Sequence, residues 1–358
     1  MNSIRPIAFY LPQFHPIPEN DEWWGKGFTE WTNTAKAKPI FPGHYQPHVP
    51  ADLGFYDLRL SESRVAQAEM AKRYGIEGFC YYHYWFGGRK ILERPFEEVL
   101  ATGAPDLGFC LCWANETWSG IWHGNPKHTL IEQTYPGAED HQKHFDYLLP
   151  AFRDQRYIKV DEKPVFVIYR PFNLPEPKKT AELWKKMAAD AGLKGLYLVG
   201  VGKARSEWNP VDFGFDASVN PQLPSVRPTW ISWRSPFEKV KNWHARKKGF
   251  PTIYSYESTI PSLLHHPKDG VQDHPCVIPN WDNTPRSSGR GLVLHESTPE
   301  LFRLHLREAI SMARKSPEGR QFLFVKSWNE WAEGNHLEPD LRYGHEYLQV
   351  FLDELKRG

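Results

Sequence analysis

The chain has 358 residues, long for one ordinary core but within the range of an α/β barrel with long loops. Its formal net charge is +1, and no basic run is long enough to follow a phosphate backbone, which argues against a nucleic-acid partner. Aromatic residues make up 15% of the chain, with 15 Trp, more than packing alone demands; part of this set must be core, but Trp and Tyr also carry the apolar face and polar edge that suit a sugar ring.

The N-terminus, Met1-Asn2-Ser3-Ile4-Arg5-Pro6, has no basic head followed by a long apolar segment and a small-residue cleavage site, so no signal peptide is expected. No apolar stretch is long enough to span a bilayer. Cys80, Cys110, Cys112 and Cys276 all lie in apolar runs and read as buried, reduced thiols of a cytoplasmic protein. Cys110-Leu111-Cys112 has no Cys/His partner at zinc-site spacing, and neither a metal nor another cofactor is expected.

Apolar strand-like runs alternate with helix-like segments. The first run is Pro6 to Leu11. A helix from Ser61 to Tyr74 follows, with Val65, Ala68 and Ala71 on one face and Gly75 as its stop. The second and third strands are Gly78 to Trp85 and Leu107 to Trp113. Phe145, Leu148, Leu149 and Phe152 recur at helical spacing before a fourth strand, Pro164 to Tyr169. A helix from Thr180 to Ala191, closed by Gly192, leads to the fifth, Leu196 to Val201. The sixth and seventh are Phe215 to Val219 and Cys276 to Asn280. A helix capped by Thr298, with Pro299 in its first turn, precedes the eighth, Phe322 to Ser327. A last helix runs from Glu346 to Leu355.

Eight near-continuous apolar strands, most separated by a helix, predict an α/β fold: a single (β/α)8 TIM barrel over residues 1–358. A doubly wound sheet is the alternative. Gly200-Val201-Gly202 resembles a dinucleotide turn, but Arg205 stands where the third glycine belongs. The 31 prolines, many between Gly25 and Pro50 and between Pro221 and Pro285, indicate long, stiff, Pro- and Trp-rich βα loops, which form the active face of a barrel.

The strand ends carry polar groups set among rings: Tyr10 and His15 after the first, His83, Tyr84 and Trp85 on the second, Trp113, Asn115, Glu116 and Trp118 after the third, Tyr169 on the fourth, Trp281 and Asp282 after the seventh, and Trp328, Asn329, Glu330, Trp331 and Glu333 after the eighth. Such a set predicts a sugar-sized, aromatic-walled cleft. Glycoside chemistry needs two carboxyl groups, one to protonate the leaving oxygen and one to act at the opposite face of the ring. Glu330 and Glu333 would face opposite ways in an extended strand. A helical turn, which Gly334 could permit, brings side chains three apart to within about 5–6 Å. An isolated pair of this kind is ordinarily a solvated acidic loop; the flanking Trp328, Asn329 and Trp331 favour a site.

Other residues leave alternatives open. Glu30 is a third active-site carboxylate or a structural acceptor for backbone N–H groups. Asp282 grips a sugar hydroxyl or closes an Asx turn. His83, Tyr84, Asn115 and Glu116 are expected to face the ligand, and His44 and His48, flanked by prolines, to be structural. Asn115-Glu116-Thr117 matches a glycosylation sequon that carries no weight without secretion.

Three long motifs carry a resemblance: Tyr10-Leu11-Pro12-Gln13-Phe14-His15, the segment Asn20 to Trp31 (NDEWWGKGFTEW, with Trp24, Glu30 and Trp31), and Trp328 to Pro339 (WNEWAEGNHLEP). They resemble the WbsX family of glycosyltransferase or polysaccharide-biosynthesis proteins, found in bacterial O-antigen contexts, over nearly the whole chain. That family is more distantly similar to family 99 glycoside hydrolases, metal-independent retaining (β/α)8 endo-α-1,2-mannosidases. The likeness rests on Asn329-Glu330-Trp331-x-Glu333-Gly334. It implies that Glu330 takes the proton of the substrate's 2-hydroxyl, which forms a 1,2-anhydro sugar, while Glu333 is general acid and then base. Family 99 commonly has His where this chain has Ala332, so mannose specificity does not carry over. The expected function is thus a retaining hydrolase or transglycosylase acting on an oligosaccharide or polysaccharide. The alternatives are a sugar-nucleotide-dependent glycosyltransferase, for which no Asp-x-Asp motif is present, and a non-catalytic glycan-binding barrel.

Overall fold

A computed structural model describes residues 4–120, 125–202, 209–224 and 249–357. Eight strand segments form a parallel sheet that curls into a barrel: β1 (Arg5–Tyr10), β2 (Gly78–Phe86), β3 (Gly108–Trp113), β4 (Lys163–Ile168), β5 (Tyr197–Val201), β6 (Ala217–Val219), β7 (Asp273–His274 with Cys276–Val277) and β8 (Phe322–Val325). Each pairs with its neighbour in chain order, and β1 also pairs with β8, Ile7 opposite Phe324. Strand order never reverses, which rules out the doubly wound alternative.

The circuit is completed by one short segment. Asp273 and His274 pair with Ser218 and Val219 of β6, while Cys276 and Val277 pair with Phe324 and Val325 of β8. Pro275 between them has no N–H to offer, but its carbonyl still accepts the Phe324 N–H at 2.9 Å. The seventh strand therefore starts three residues before the expected Cys276, at a buried Asp273 that accepts hydrogen bonds from Ser218 and Asn220. Apolar patterning misses a strand that opens on a satisfied carboxylate.

All nine residues of β2 are buried, as parallel strands covered on both faces require. Gly78 and Gly108 face each other in register, and a Cβ at Gly78 would lie 2.2 Å from the Gly108 carbonyl oxygen, so the β2–β3 contact depends on the missing side chain.

Helices wrap this sheet. The first βα connection holds α1 (Pro18–Trp24), α2 (Glu30–Lys36) and α3 (Ser61–Arg73). Then come α4 (Arg94–Thr102), α5 (Ala138–Arg153), α6 (Pro177–Asp190), α7 (Thr284–Ser287), α8 (Pro299–Ala313) and α9 (Glu346–Lys356). Helix α5 buries Phe145, Leu148 and Phe152 against the barrel. Thr298 caps α8 by accepting the Leu301 N–H, and Pro299 fills its first turn. A two-stranded parallel ribbon, Thr252–Ser255 with Leu292–His295, covers a second apolar cluster that includes Ile278 and Trp281. The four cysteines are buried and form no disulfide. Arg205, weighed for a dinucleotide turn, lies outside the described residues, as do residues 225–248 of the Pro221 to Pro285 segment. Among the described residues no helix is long and apolar enough to cross a membrane.

Candidate active site

The C-terminal ends of β1, β2, β3, β4, β7 and β8 open into one cleft of about 660 Å³. Side chains alternate along a strand, and β2 sorts its rings accordingly. Tyr82 and Tyr84 line the cleft. Tyr81 packs outward on Phe96 of α4, the His83 ring meets His144 of α5 at 2.8 Å, and Trp85 Nε1 donates to Asp140 of α5. The Tyr84 ring meets Trp118 edge-on at 5.1 Å, so part of the wall is aromatic.

After β8 the backbone makes a compact turn. Asn329 and Glu330 pair antiparallel with His336 and Asn335, and Trp331–Glu333 form a single 3-10 turn. Gly334 ends that turn at φ 56°, in the left-handed region, and a Cβ there would meet Asp282 at 2.9 Å. The turn places Glu330 and Glu333 on the same face, with their carboxyl groups hydrogen-bonded to each other.

Two cations brace the pair. Lys326 Nζ donates to Glu330 Oε1 at 2.9 Å and lies 4.0 Å from Glu333 Oε2. Arg286, on α7, reaches Glu333 Oε1 at 2.8 Å and Glu30 Oε1 at 2.5 Å. Glu30 opens α2 behind its Thr29 cap, and the same Oε1 accepts the Ala332 N–H at 3.0 Å. Glu30 thus lines the cleft and also accepts a backbone N–H that secures the turn.

These contacts separate the protonation states of the pair. Burial opposes the charged form of Glu330, but the Lys326 ammonium beside it, the Glu333 hydrogen bond and Arg286 outweigh burial and bring its carboxyl down to about 2. Glu333 moves the other way: burial and the Glu330 charge push it well above the usual carboxylate range, against Arg286 and Lys326. Burial alone would drive the proton off Lys326, but Glu330 and Glu333 keep it charged. The two neighbouring carboxyl groups are thus shifted in opposite directions, Glu330 toward the charged form and Glu333 toward the protonated one.

Of the residues singled out from the sequence, Trp24, Glu30, Tyr84, Glu116, Trp118, Tyr169, Trp281, Glu330 and Glu333 line the cleft. The others are buried elsewhere and hold the frame. Tyr10 donates to Gln67 of α3, and the His15 ring bonds the Pro12 carbonyl. Trp31 Nε1 donates to the Tyr56 carbonyl, and Trp113 Nε1 to that of Trp85. His83 and Trp85 face α5, as above. Asn115 clamps Arg170 through its N–H and its carbonyl. Asn329 does the same to Leu11. Trp328 is fully buried, meeting the Phe79 ring at 5.2 Å. Trp331 donates to Glu338 at 2.6 Å and stacks on His336. Asp282 accepts from His44, Gln46 and Thr284 and lines a separate cavity.

Sequence reasoning passed over Lys326, Arg286, Tyr82 and Arg170. Lys326 had a signal: a lone lysine in an apolar strand is buried only when paired. Arg286 had none, since nothing local in its proline-containing loop points to carboxylates 47 and 256 positions away.

The family model described as Glycosyltransferase WbsX matches residues 6–351. This chain belongs to the WbsX glycosyltransferase family. A curated relative, the protein WxcX of Xanthomonas campestris pv. campestris strain B100, is 38% identical over 354 residues, which is 98% of this chain and 50% of that protein. The chain spans about half the length of the curated relatives it matches. Among solved structures, a glycoside hydrolase-like protein superposes with a TM-score of 0.61 at 15% identity, covering 99% of this chain and 94% of the other. The GH99 endo-alpha-mannosidase of Bacteroides thetaiotaomicron does so with a TM-score of 0.56 at 16% identity, covering 99% and 98%. At such identities the likeness shows the fold: this WbsX chain shares the α/β barrel of these structures.

Proposed function

We propose that this WbsX chain is a retaining glycoside hydrolase or transglycosylase acting on bacterial polysaccharide or O-antigen-type glycans. Glu333 is the general acid, then base; Glu330 is the ionised partner. The observation that carries the reading is the pair itself: adjacent buried carboxyl groups, Glu330 braced by Lys326 and Glu333 by Arg286, in an aromatic-walled cleft. Inverting enzymes leave room for a water, with carboxyls about 6.5–9.5 Å apart, and retaining ones hold them closer. Two hydrogen-bonded carboxyls favour retention. A substrate entering the cleft breaks that hydrogen bond and takes the Glu333 proton on its leaving oxygen. By the GH99 likeness, Glu330 accepts the 2-hydroxyl proton as that oxygen attacks the anomeric carbon.

A second route is favoured by one contact. Lys326 makes Glu330 a weak base, and a carboxylate held ionised this way also suits direct attack on the anomeric carbon, with a covalent glycosyl-enzyme as the intermediate. A 2-deoxy substrate separates the two, since it cannot form the anhydro sugar.

Sugar-nucleotide transfer has less support. Among the described residues, each cation lining the cleft faces a carboxylate: Lys326 faces Glu330, Arg286 faces Glu30 and Glu333, and Arg170 faces Glu116. A nucleotide diphosphate would have to displace these pairs. The test is incubation with a panel of bacterial O-antigen oligosaccharides, with and without sugar nucleotides, read by mass spectrometry. Cleaved or rearranged glycans without any nucleotide are expected; products that appear only with a nucleotide would establish the transferase instead.

A further inference from the structure

Beside the cleft lies a second cavity of about 160 Å³; Trp281 lines the cleft and its neighbour Asp282 lines this cavity. Three buried side chains converge on it: His48 from the first βα loop, and His336 and Asp340 from the segment after the catalytic turn. One ligand atom from each, two imidazole nitrogens and a carboxylate oxygen, lie within 4.8 Å of one another. Sequence spacing gave no hint of this cluster, because His48 and His336 are 288 positions apart.

The surroundings orient these atoms as metal ligands. His336 Nδ1 lies 2.8 Å from the Glu338 carbonyl oxygen. A carbonyl has no proton to give, so Nδ1 carries the N–H and Nε2 presents its lone pair inward. This outer hydrogen bond is the usual device that fixes a ligating imidazole. His336 Nε2 faces His48 Nδ1 at 2.9 Å. Asp340 Oδ1 is occupied by the N–H groups of Arg342 and Tyr343, at 3.0 and 2.7 Å, which turns Oδ2 to other partners. Asp282, Glu296, Glu338 and Asp340 line the cavity against one cation, Arg342, so its charge balance favours a dication.

We infer that His48, His336 and Asp340 form a site for one divalent transition-metal cation of the zinc class. Two imidazoles and one carboxylate select such an ion over calcium or magnesium. Ligand distances of about 2.0–2.2 Å suit the pair of nitrogens already in contact. Without the ion, His48 Nδ1–H donates to His336 Nε2. On binding, that proton moves to His48 Nε2, so the ring stays neutral and no net proton is released. Water in the cavity completes the coordination.

The ion sits outside the cleft and takes no part in the chemistry. Its effect is mechanical: the Trp331 ring stacks on His336 at 3.8 Å, so the cation ties the first βα loop to the turn that carries Glu330 and Glu333. The site stands whether the enzyme is a hydrolase or a transferase.

The test uses tag-free protein stripped with a chelator and desalted. Cobalt(II) is titrated in while its d–d absorption is followed, and zinc is then added. A band saturating at about one equivalent and lost to zinc is expected. Outer-shell partners alone are worth about 10–100-fold in metal affinity, so His48→Gln and Asp340→Asn should each weaken binding by about 100-fold or more. A cobalt spectrum indistinguishable from the aqueous ion would overturn the site. So would unchanged binding in a folded His48→Gln protein. If both variants fail to fold, the wild-type spectrum decides alone.

Discussion

Lys326 sets the chemical character of the site. By holding Glu330 ionised it leaves Glu333 as the group that keeps a proton, and the substitution pattern should follow. Glu333→Gln should lose about 10²–10⁴-fold in turnover of substrates with poor leaving groups and much less with an activated aryl glycoside, where protonation matters little. Glu330→Gln should lose both. Equal losses on both substrates in Glu333→Gln would contradict the assignment of the acid. The pH dependence has a definite sign. The proposed mechanism needs Glu330 ionised and Glu333 protonated, so the wild-type rate should show no acidic limb near neutrality and should fall as pH rises through the raised value of Glu333. Lys326→Met removes the cation that depresses Glu330, so an acidic limb should appear at higher pH in kcat/KM. A variant profile that keeps the wild-type acid side would show that Lys326 does not set the ionisation of Glu330.

The turn after β8 is the element on which the account depends. Gly334 sits at φ 56° with its α-carbon against Asp282, whose N–H donates to the Glu333 carbonyl. Gly334→Ala should cost at least about 1–2 kcal/mol from the left-handed backbone alone, with more from the contact with Asp282. A lowered melting temperature and a reduced kcat should appear together; wild-type stability and rate would mean that the turn is not held this tightly. The turn was legible in the sequence because Glu330, Glu333 and Gly334 have one spacing that brings the carboxyls together. Strand ends were legible only in part. Reading His83, Tyr84 and Trp85 as neighbours in one cleft ignores the period of two, which sends Tyr84 inward and the other two to α5. Trp113, Trp328 and Trp331 show the same limit: a Trp at a strand end can use its N–H to fasten the frame or its large ring to fill it. The partnerships of Arg286 with Glu30 and of His48 with His336 come from loops that meet only after the barrel closes.

At the scale of the molecule, the barrel sinks several carboxyl groups, and stability should carry their signature. Burial pushes Glu338 up to about 7 despite hydrogen bonds from Trp331, Gln67 and Tyr56. A folded-state value raised above the ordinary 4.5 means its contribution is fully present below that value and is lost as pH rises through about 7. The window corresponds to stability on the order of 3 kcal/mol. Denaturant melts at pH 5 and 8 should show a smaller loss on raising the pH for Glu338→Gln than for the wild type, and identical losses would contradict the buried-acid reading. The fold class was legible in the apolar runs, since eight strands in chain order with helices between them admit little else. The closing strand was legible only in outline, because Asp273 and Pro275 interrupt its pattern. The central claim, a retaining carboxylate pair working without a nucleotide donor, is tested most directly by proton NMR of the first-formed product from an oligosaccharide that the enzyme turns over, with no sugar nucleotide present. The account predicts a product of retained anomeric configuration that appears before mutarotation and is absent with Glu330→Gln; an inverted first product, or turnover undiminished in Glu330→Gln, would contradict it.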